Sequence, residues 1–318
     1  MAKKITMNVK QNIKTFGEGY KEFTLNCKVR NLSKFTIEHY DNVVVIWYKY
    51  MPNEIAIKDI TKETIDKFII FMREKTSQND ITINTNLRGI RAICYFFMRL
   101  GYMEEFKIEE IRTVKKIKET YSEAEIKLLL KKPDIKKCTF VEFRSWTMIN
   151  ILLGTGMRVR TLINIRICDL DFENRLITYE HTKNRKQQIV PMSKTLEKVL
   201  SEYIVFRGGE PTEYLFPTQF GKQMSANSVQ HVLKLYNRRR GVAKSGVHLW
   251  RHTFAKMWIT NGGDMFKLQK MLGHSTLDVV KEYVEMFTED LQKDFDNISP
   301  LEHMSDNGEH IKMRYRGI

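Results

Sequence analysis

Five short segments of this sequence carry side chains whose types and spacing suit a phosphate. Arg158 follows Gly154-Thr155-Gly156-Met157, just after an apolar helix ends. Glycines at such a place let the backbone turn and bring the next side chain to a ligand. His248 and Arg251 are three apart in Val247-His248-Leu249-Trp250-Arg251-His252, and residues i and i+3 share a helix face. Arginine is a planar multi-donor, and histidine moves a proton near neutral pH. His274 lies in Leu272-Gly273-His274-Ser275, and Tyr283 follows nine residues later. A free phenol has a pKa of about 10, so Tyr283 as a nucleophile needs neighbouring bases or cations. Lys183 sits in the polar run His181–Lys186, placed to reach a ligand as a proton donor.

Taken singly, each segment also has an ordinary explanation: a helix break with an exposed arginine, a packing tyrosine, a solvated charge cluster. His248 and His252 are i, i+4, a spacing that can bind metal. No Glu follows the first His, however, and no acidic third ligand stands nearby, so the expectation is no metal.

The elements that must position these residues are mostly helices. In the first hundred residues, Thr61 reads as an N-cap with Ile60 and Ile65 as a hydrophobic staple. Ile65, Phe68, Ile69 and Met72 then follow a helical stripe. A second helix carries Ile83, Leu87, Ile90, Cys94 and Phe97, with Gly101 placed to end it. An earlier helix is expected over about 36–50. From Glu104 to Glu119 the chain is rich in charge, including Lys115, Lys116 and Lys118, and reads as an extended basic connection. Ser122 with Glu125 then forms a capping box, with Tyr121 and Ile126 as its staple.

Beyond it come an apolar helix from Phe140 to Leu153 and a hairpin from Arg175–Tyr179 and Gln188–Val190. Helices are expected at Ser193–Ile204 and Ser225–Arg240, and short ones from about His248, Asp264 and Ser275. The fold class is therefore mainly α with a small β-sheet: a helical N-terminal domain followed by an α+β domain. The expected divisions are an N-terminal tail (1–14), a helical domain (15–104), a basic connection (105–120), the domain carrying the chemistry (121–286), and a C-terminal helix and tail (287–318).

The chain has 318 residues and a net charge of +15, an excess that attracts polyanions such as nucleic acid or an anionic membrane. No apolar run approaches the ~20 residues needed to span a bilayer. The N-terminal MAKKITMNVKQ lacks the apolar core of a signal peptide. Cys27, Cys94, Cys138 and Cys168 are far apart and form no CxxC pair. These features point to a cytoplasmic protein without disulfides or a zinc–cysteine site.

Taken together and in order, the segments resemble the tyrosine recombinase (phage integrase) family, from about residue 15 to 295. That family places an arginine after a T-G turn, a lysine in a hairpin, H-x-x-R on a helix, an L-G-H turn and then tyrosine. Here they read Thr155-Gly156-Met157-Arg158, Lys183 eight residues before Pro191, His248-Leu249-Trp250-Arg251-His252, Leu272-Gly273-His274 and Tyr283. The helical N-terminal half looks like the family's SAM-like core-binding domain.

The resemblance implies a DNA strand-exchange enzyme working through a 3′-phosphotyrosine without metal or other cofactor. Its catalytic residues would be Arg158, Lys183, His248, Arg251, His274 and Tyr283. Double-stranded DNA would be held by Lys115, Lys116, Lys118, Arg185, Lys186, Arg238, Arg239 and Arg240. A homotetramer would form on DNA in the synapse, with no membrane partner and with accessory DNA-binding proteins compatible. After Tyr283, Phe287, Leu291, Phe295 and Ile298 keep an apolar stripe, and docking on the same subunit or a neighbour are equal alternatives.

Thr161 departs from the acidic residue the family has there, so Arg158 is either held less firmly or braced by Asp169, and Arg160 competes with Arg158 for the phosphate-facing role. Trp250 replaces the family's leucine, a change of packing. Integration or excision of a mobile element is the first biological reading. Xer-type dimer resolution, a degenerate DNA-binding homologue and a type IB topoisomerase-like enzyme are the alternatives.

Overall fold

The computed structural model describes residues 14–113, 119–179 and 187–273. The chain divides into two compact units, Met1–Lys116 and Ile117–Ile318.

The first unit is built on four helices, α1 (Phe16–Val29), α2 (Lys34–Tyr50), α3 (Lys62–Lys75) and α4 (Asp80–Arg99). Each starts at a residue whose side-chain oxygen takes an otherwise unpaired backbone N–H: Thr15, Ser33, Thr61 and Asn79. Ile60 and Ile65 are both buried beside the Thr61 cap, as the staple requires. Gly101 adopts φ +72° just past the end of α4, the left-handed conformation that glycine takes at no steric cost. Phe16, Trp47, Phe68 and Phe97 close the core, with Phe16 stacked on Trp47 and edge-on to Phe97.

Residues 104–113 run extended along α4. Asn84 Nδ2 donates to the Ile111 carbonyl and its Oδ1 accepts from the Ile111 N–H, at 2.8 and 2.9 Å. Glu110 pairs with Arg88 and Arg91, and Ile108 is buried. The start of the expected connection is therefore bound to the helical unit: Glu110 meets partners on α4 and its isoleucines find apolar cover. Lys115, Lys116 and Lys118 lie outside the described residues.

The second unit opens with the Ser122–Glu125 capping box and α5 (Glu123–Leu130). Then come α6 (Phe140–Thr155), α7 (Val159–Asn164), a three-stranded antiparallel sheet, α8 (Lys194–Arg207), α9 (Ala226–Arg239), α10 (Val247–Thr260) and α11 (Met265–Leu272). The strands are β1 (Leu170–Asp171), β2 (Leu176–Tyr179) and β3 (Gln188–Pro191), in the order β1-β2-β3. Ile177 pairs with Val190, both buried, and Tyr179 pairs with Gln188. Pro191, lacking an N–H, sits on an edge strand where it costs no ladder bond. Strand β1 was not foreseen, because two residues carry no period.

Helix α6 is apolar on nearly every side because it is the core helix, covered by α8, α9 and α10. Tyr121 straps the start of the unit to α10: its N–H donates to Thr253 Oγ1 at 3.0 Å, and its ring lies 4.2 Å from that of Trp250. Trp250 is fully buried, so the residue replacing the family's leucine is a core residue. The expected helix from Ser275 and the terminal stripe lie outside the described residues. Among those described, no helix is long and apolar enough to cross a membrane.

Candidate active site

The first catalytic candidate is aimed by a turn that glycine makes feasible. The Thr155 hydroxyl donates to the Ile151 carbonyl and accepts from the Met157 N–H, closing the end of α6. Gly156 caps the helix at φ +62°, a conformation that a Cβ disfavours by about 1–2 kcal/mol. Space forbids a side chain as well, because a Cβ there would collide with the Phe254 ring and lie 2.8 Å from Leu272 Cδ2. The chain can therefore turn only by pressing its bare backbone against α10 and α11. Met157 is then buried, and Arg158 leaves the turn extended and half-buried, at the N-cap of α7.

Arg251 is the most rigidly held candidate. It is 5% exposed, donating from Nη1 to the Gly156 carbonyl at 2.8 Å and from Nη2 to the Leu272 carbonyl at 2.7 Å. Its guanidinium thus joins the ends of α6 and α11 to the first turns of α10. Two anchored nitrogens fix the plane of the fork, which is what bidentate recognition of an oxyanion requires.

His248 stands in the first turn of α10 with a solvent-exposed edge. Crowding by protein on its other side, and after it the positive charges of Arg251 and Arg158, hold its pKa below the ordinary imidazole value. That electrostatic coupling places His248, Arg251 and Arg158 in one neighbourhood. Arg160 is exposed and Arg158 half-buried, and the charge of Arg158 bears on His248. No acidic residue occupies the first turn of α10. The helix N-terminus adds partial positive charge to the two guanidiniums, so the neighbourhood suits an anion. The neutral imidazole favoured there can accept a proton.

Asp169, expected as a brace for Arg158, uses its Oδ2 to accept the Arg166 backbone N–H at 2.7 Å. Of the three arginines at the end of α9, Arg238 and Arg239 are exposed. Arg240 is turned inward: it pairs with Glu142 at 3.1 Å and stacks 3.8 Å over the Tyr236 ring. Arg240, expected with them to face DNA, has its guanidinium engaged by Glu142 and Tyr236. Lys183, Arg185, Lys186, His274 and Tyr283 lie outside the described residues. Among those described, no group of three or more His, Cys, Asp or Glu could hold a metal ion.

Sequence reading missed Gln188. Its Nε2 donates to the Lys270 and Met271 carbonyls at 2.7 and 2.8 Å, joining the start of β3 to the end of α11. The only signal was its position at the base of the hairpin. No motif carries it.

Comparison with known proteins bears on this geometry. Residues 119–289 match the Phage integrase family, and residues 15–127 match the Phage integrase SAM-like domain. A tyrosine recombinase of Pseudothermotoga lettingae is 28% identical, covering 86% of this chain and 94% of its own length. Tyrosine recombinase XerA of Thermococcus onnurineus is 30% identical, over 71% of this chain and 78% of its own. Among solved structures, the Tn1549 transposon integrase in complex with a circular intermediate DNA superposes with a TM-score of 0.70 at 22% identity, covering 85% of this chain and 94% of that one. A lambda integrase tetramer bound to a Holliday junction gives 0.69 at 14% identity, with coverage of 86% and 78%. At these identities the superpositions establish a shared fold.

Proposed function

This chain belongs to the phage integrase family of tyrosine recombinases, enzymes that cleave and rejoin DNA strands, and from that premise we propose that Arg158, His248 and Arg251 surround the phosphate that Tyr283 attacks. The observation that carries the reading is the placing of His248 and Arg251 three residues apart in the first turns of α10, where burial first, and then the charges of Arg251 and Arg158, lower the His248 pKa. The anchoring of Arg251 by two backbone carbonyls supports it.

In this scheme Arg158 and Arg251 donate to the nonbridging oxygens of one phosphate. They stabilise the charge that grows in the five-coordinate transition state. His248 and His274 hydrogen-bond the same group, and His248 takes the phenolic proton. The Tyr283 oxygen bonds to phosphorus, the bond from phosphorus to the 5′-oxygen breaks, and Lys183 supplies that oxygen's proton. The phosphotyrosine retains the phosphodiester's energy, so a 5′-hydroxyl from a partner duplex reverses the step without cofactor. Four subunits on paired duplexes would complete an exchange.

Double-stranded DNA is the substrate in this reading, supported by the net charge of +15 and by the exposed Arg238 and Arg239. Site-specific recombination acting on a mobile element in the cytoplasm is the finer reading. Xer-type dimer resolution is the second, and the names of several relatives at 25–30% identity favour it.

The test uses a nicked duplex carrying the sequence that the protein selects from a random pool. The expected result is a denaturant-resistant protein–DNA adduct that disappears in Tyr283→Phe. An adduct that persists in that variant moves the nucleophile elsewhere.

A further inference from the structure

Helix α11 ends in three successive carbonyls, on Lys270, Met271 and Leu272, beyond the last i+4 helical donors; the Lys270 carbonyl also accepts from the Gly273 N–H at 3.0 Å. Side chains from elsewhere in the unit serve all three. Gln188 Nε2 donates to the first two, at 2.7 and 2.8 Å. Arg251 Nη2 donates to the third, at 2.7 Å. The following residue, Gly273, is left-handed at φ +61°, and a Cβ there would lie 2.6 Å from Gln188 Oε1, so the amide lies close against bare backbone. Gln188 is itself fixed by strand pairing with Tyr179.

We propose that Gln188 is a positioning residue for Arg251. By holding the last turn of α11 against β3, it sets where the Leu272 carbonyl lies, and with it one of the two anchors of the Arg251 guanidinium. The inference rests on the reading of Arg251 as a phosphate ligand. It goes beyond that reading by assigning the arginine's alignment to a residue on another element.

The experiment compares wild type, Gln188→Met and Arg251→Ala on the selected nicked duplex. One version carries an ordinary scissile phosphate and the other a methylphosphonate, which has no negative charge for a guanidinium to offset. Gln188→Met keeps the length of the side chain and removes both donors. The expected single-turnover cleavage rate of Gln188→Met is about 10- to 100-fold below wild type on the phosphate, the size of loss that misplacement by about 1 Å produces. DNA affinity should stay within about twofold. The deficits of Gln188→Met and Arg251→Ala should both shrink on the methylphosphonate.

A Gln188→Met deficit that is equal on both substrates while Arg251→Ala recovers reduces Gln188 to a fold-stabilising role and overturns the proposal. Failure of Arg251→Ala itself to recover overturns the phosphate-ligand reading instead. A Gln188→Met rate equal to wild type overturns the positioning role outright. Gln188→Lys, which retains a donor of similar reach, should restore most of the rate lost in Gln188→Met. If Gln188→Met does not fold, the Gln188→Lys variant decides, because a deficit there that persists on the methylphosphonate contradicts the proposal.

Discussion

Replacing Gly156 with alanine forces a Cβ into a place that is refused twice. The backbone is left-handed at φ +62°, and the new methyl would collide with Phe254 and lie 2.8 Å from Leu272 Cδ2. The first demand costs about 1–2 kcal/mol. The second is an overpacked contact between helices, worth about 1–3 kcal/mol. Gly241 separates the two: in the same unit at φ +76°, it has nothing within 4 Å of where its Cβ would go. Gly241→Ala should therefore cost about 1–2 kcal/mol, and Gly156→Ala about 2–5 kcal/mol.

For a unit of this size each kcal/mol lowers Tm by about 2–4 °C, so calorimetry on the two variants should give clearly different shifts. Because the Gly156 carbonyl anchors Arg251, strand cleavage by Gly156→Ala should also fall below that of Gly241→Ala under conditions where both are folded. Equal Tm losses for the two variants would refute the claim that close approach, and not only chirality, requires glycine at the arginine turn.

Other consequences are more local. Burial, and after it the charges of Arg251 and Arg158, hold His248 below the ordinary imidazole pKa, so the unfolded chain binds the extra proton. Stability from this group is unaffected well above a pH of about 6.5 and declines as pH falls through it. NMR titration should find the His248 pKa rising in Arg158→Ala, and an unmoved value would show that the two residues do not share a site. Arg238→Ala and Arg239→Ala should weaken DNA binding and reduce its salt slope by about 1 each, without affecting Tm. Arg240→Ala should lower stability by about 0.5–2 kcal/mol through loss of its stacking on Tyr236. Equal binding losses and no Tm change across the three would return Arg240 to the surface.

Much of this architecture was legible because it is locally encoded. Thr61, Ser122, Ser193 and Ser225 cap helices in the structure as their side chains dictate. The stripes behind them set which faces are buried. The T-G-M-R turn and the H-x-x-R face were legible for the same reason. Their order along the chain carried the family resemblance that the matches over 15–127 and 119–289 support.

What was not legible depends on partners distant in sequence. Charge alone cannot show that Arg240 reaches Glu142, nearly a hundred residues away. The charged run after Glu104 reads as a connection because its cover, Asn84 and Arg88 on α4, is supplied by tertiary packing. Gln188 carries no motif, and its two acceptors lie 82 and 83 residues further along the chain.

The most direct measurement is a structure of the Tyr283→Phe variant bound to its selected duplex. The account predicts one phosphate whose nonbridging oxygens lie about 2.7–3.1 Å from donors on Arg158, His248 and Arg251 together. Those three residues contacting different phosphates, or none, would contradict it.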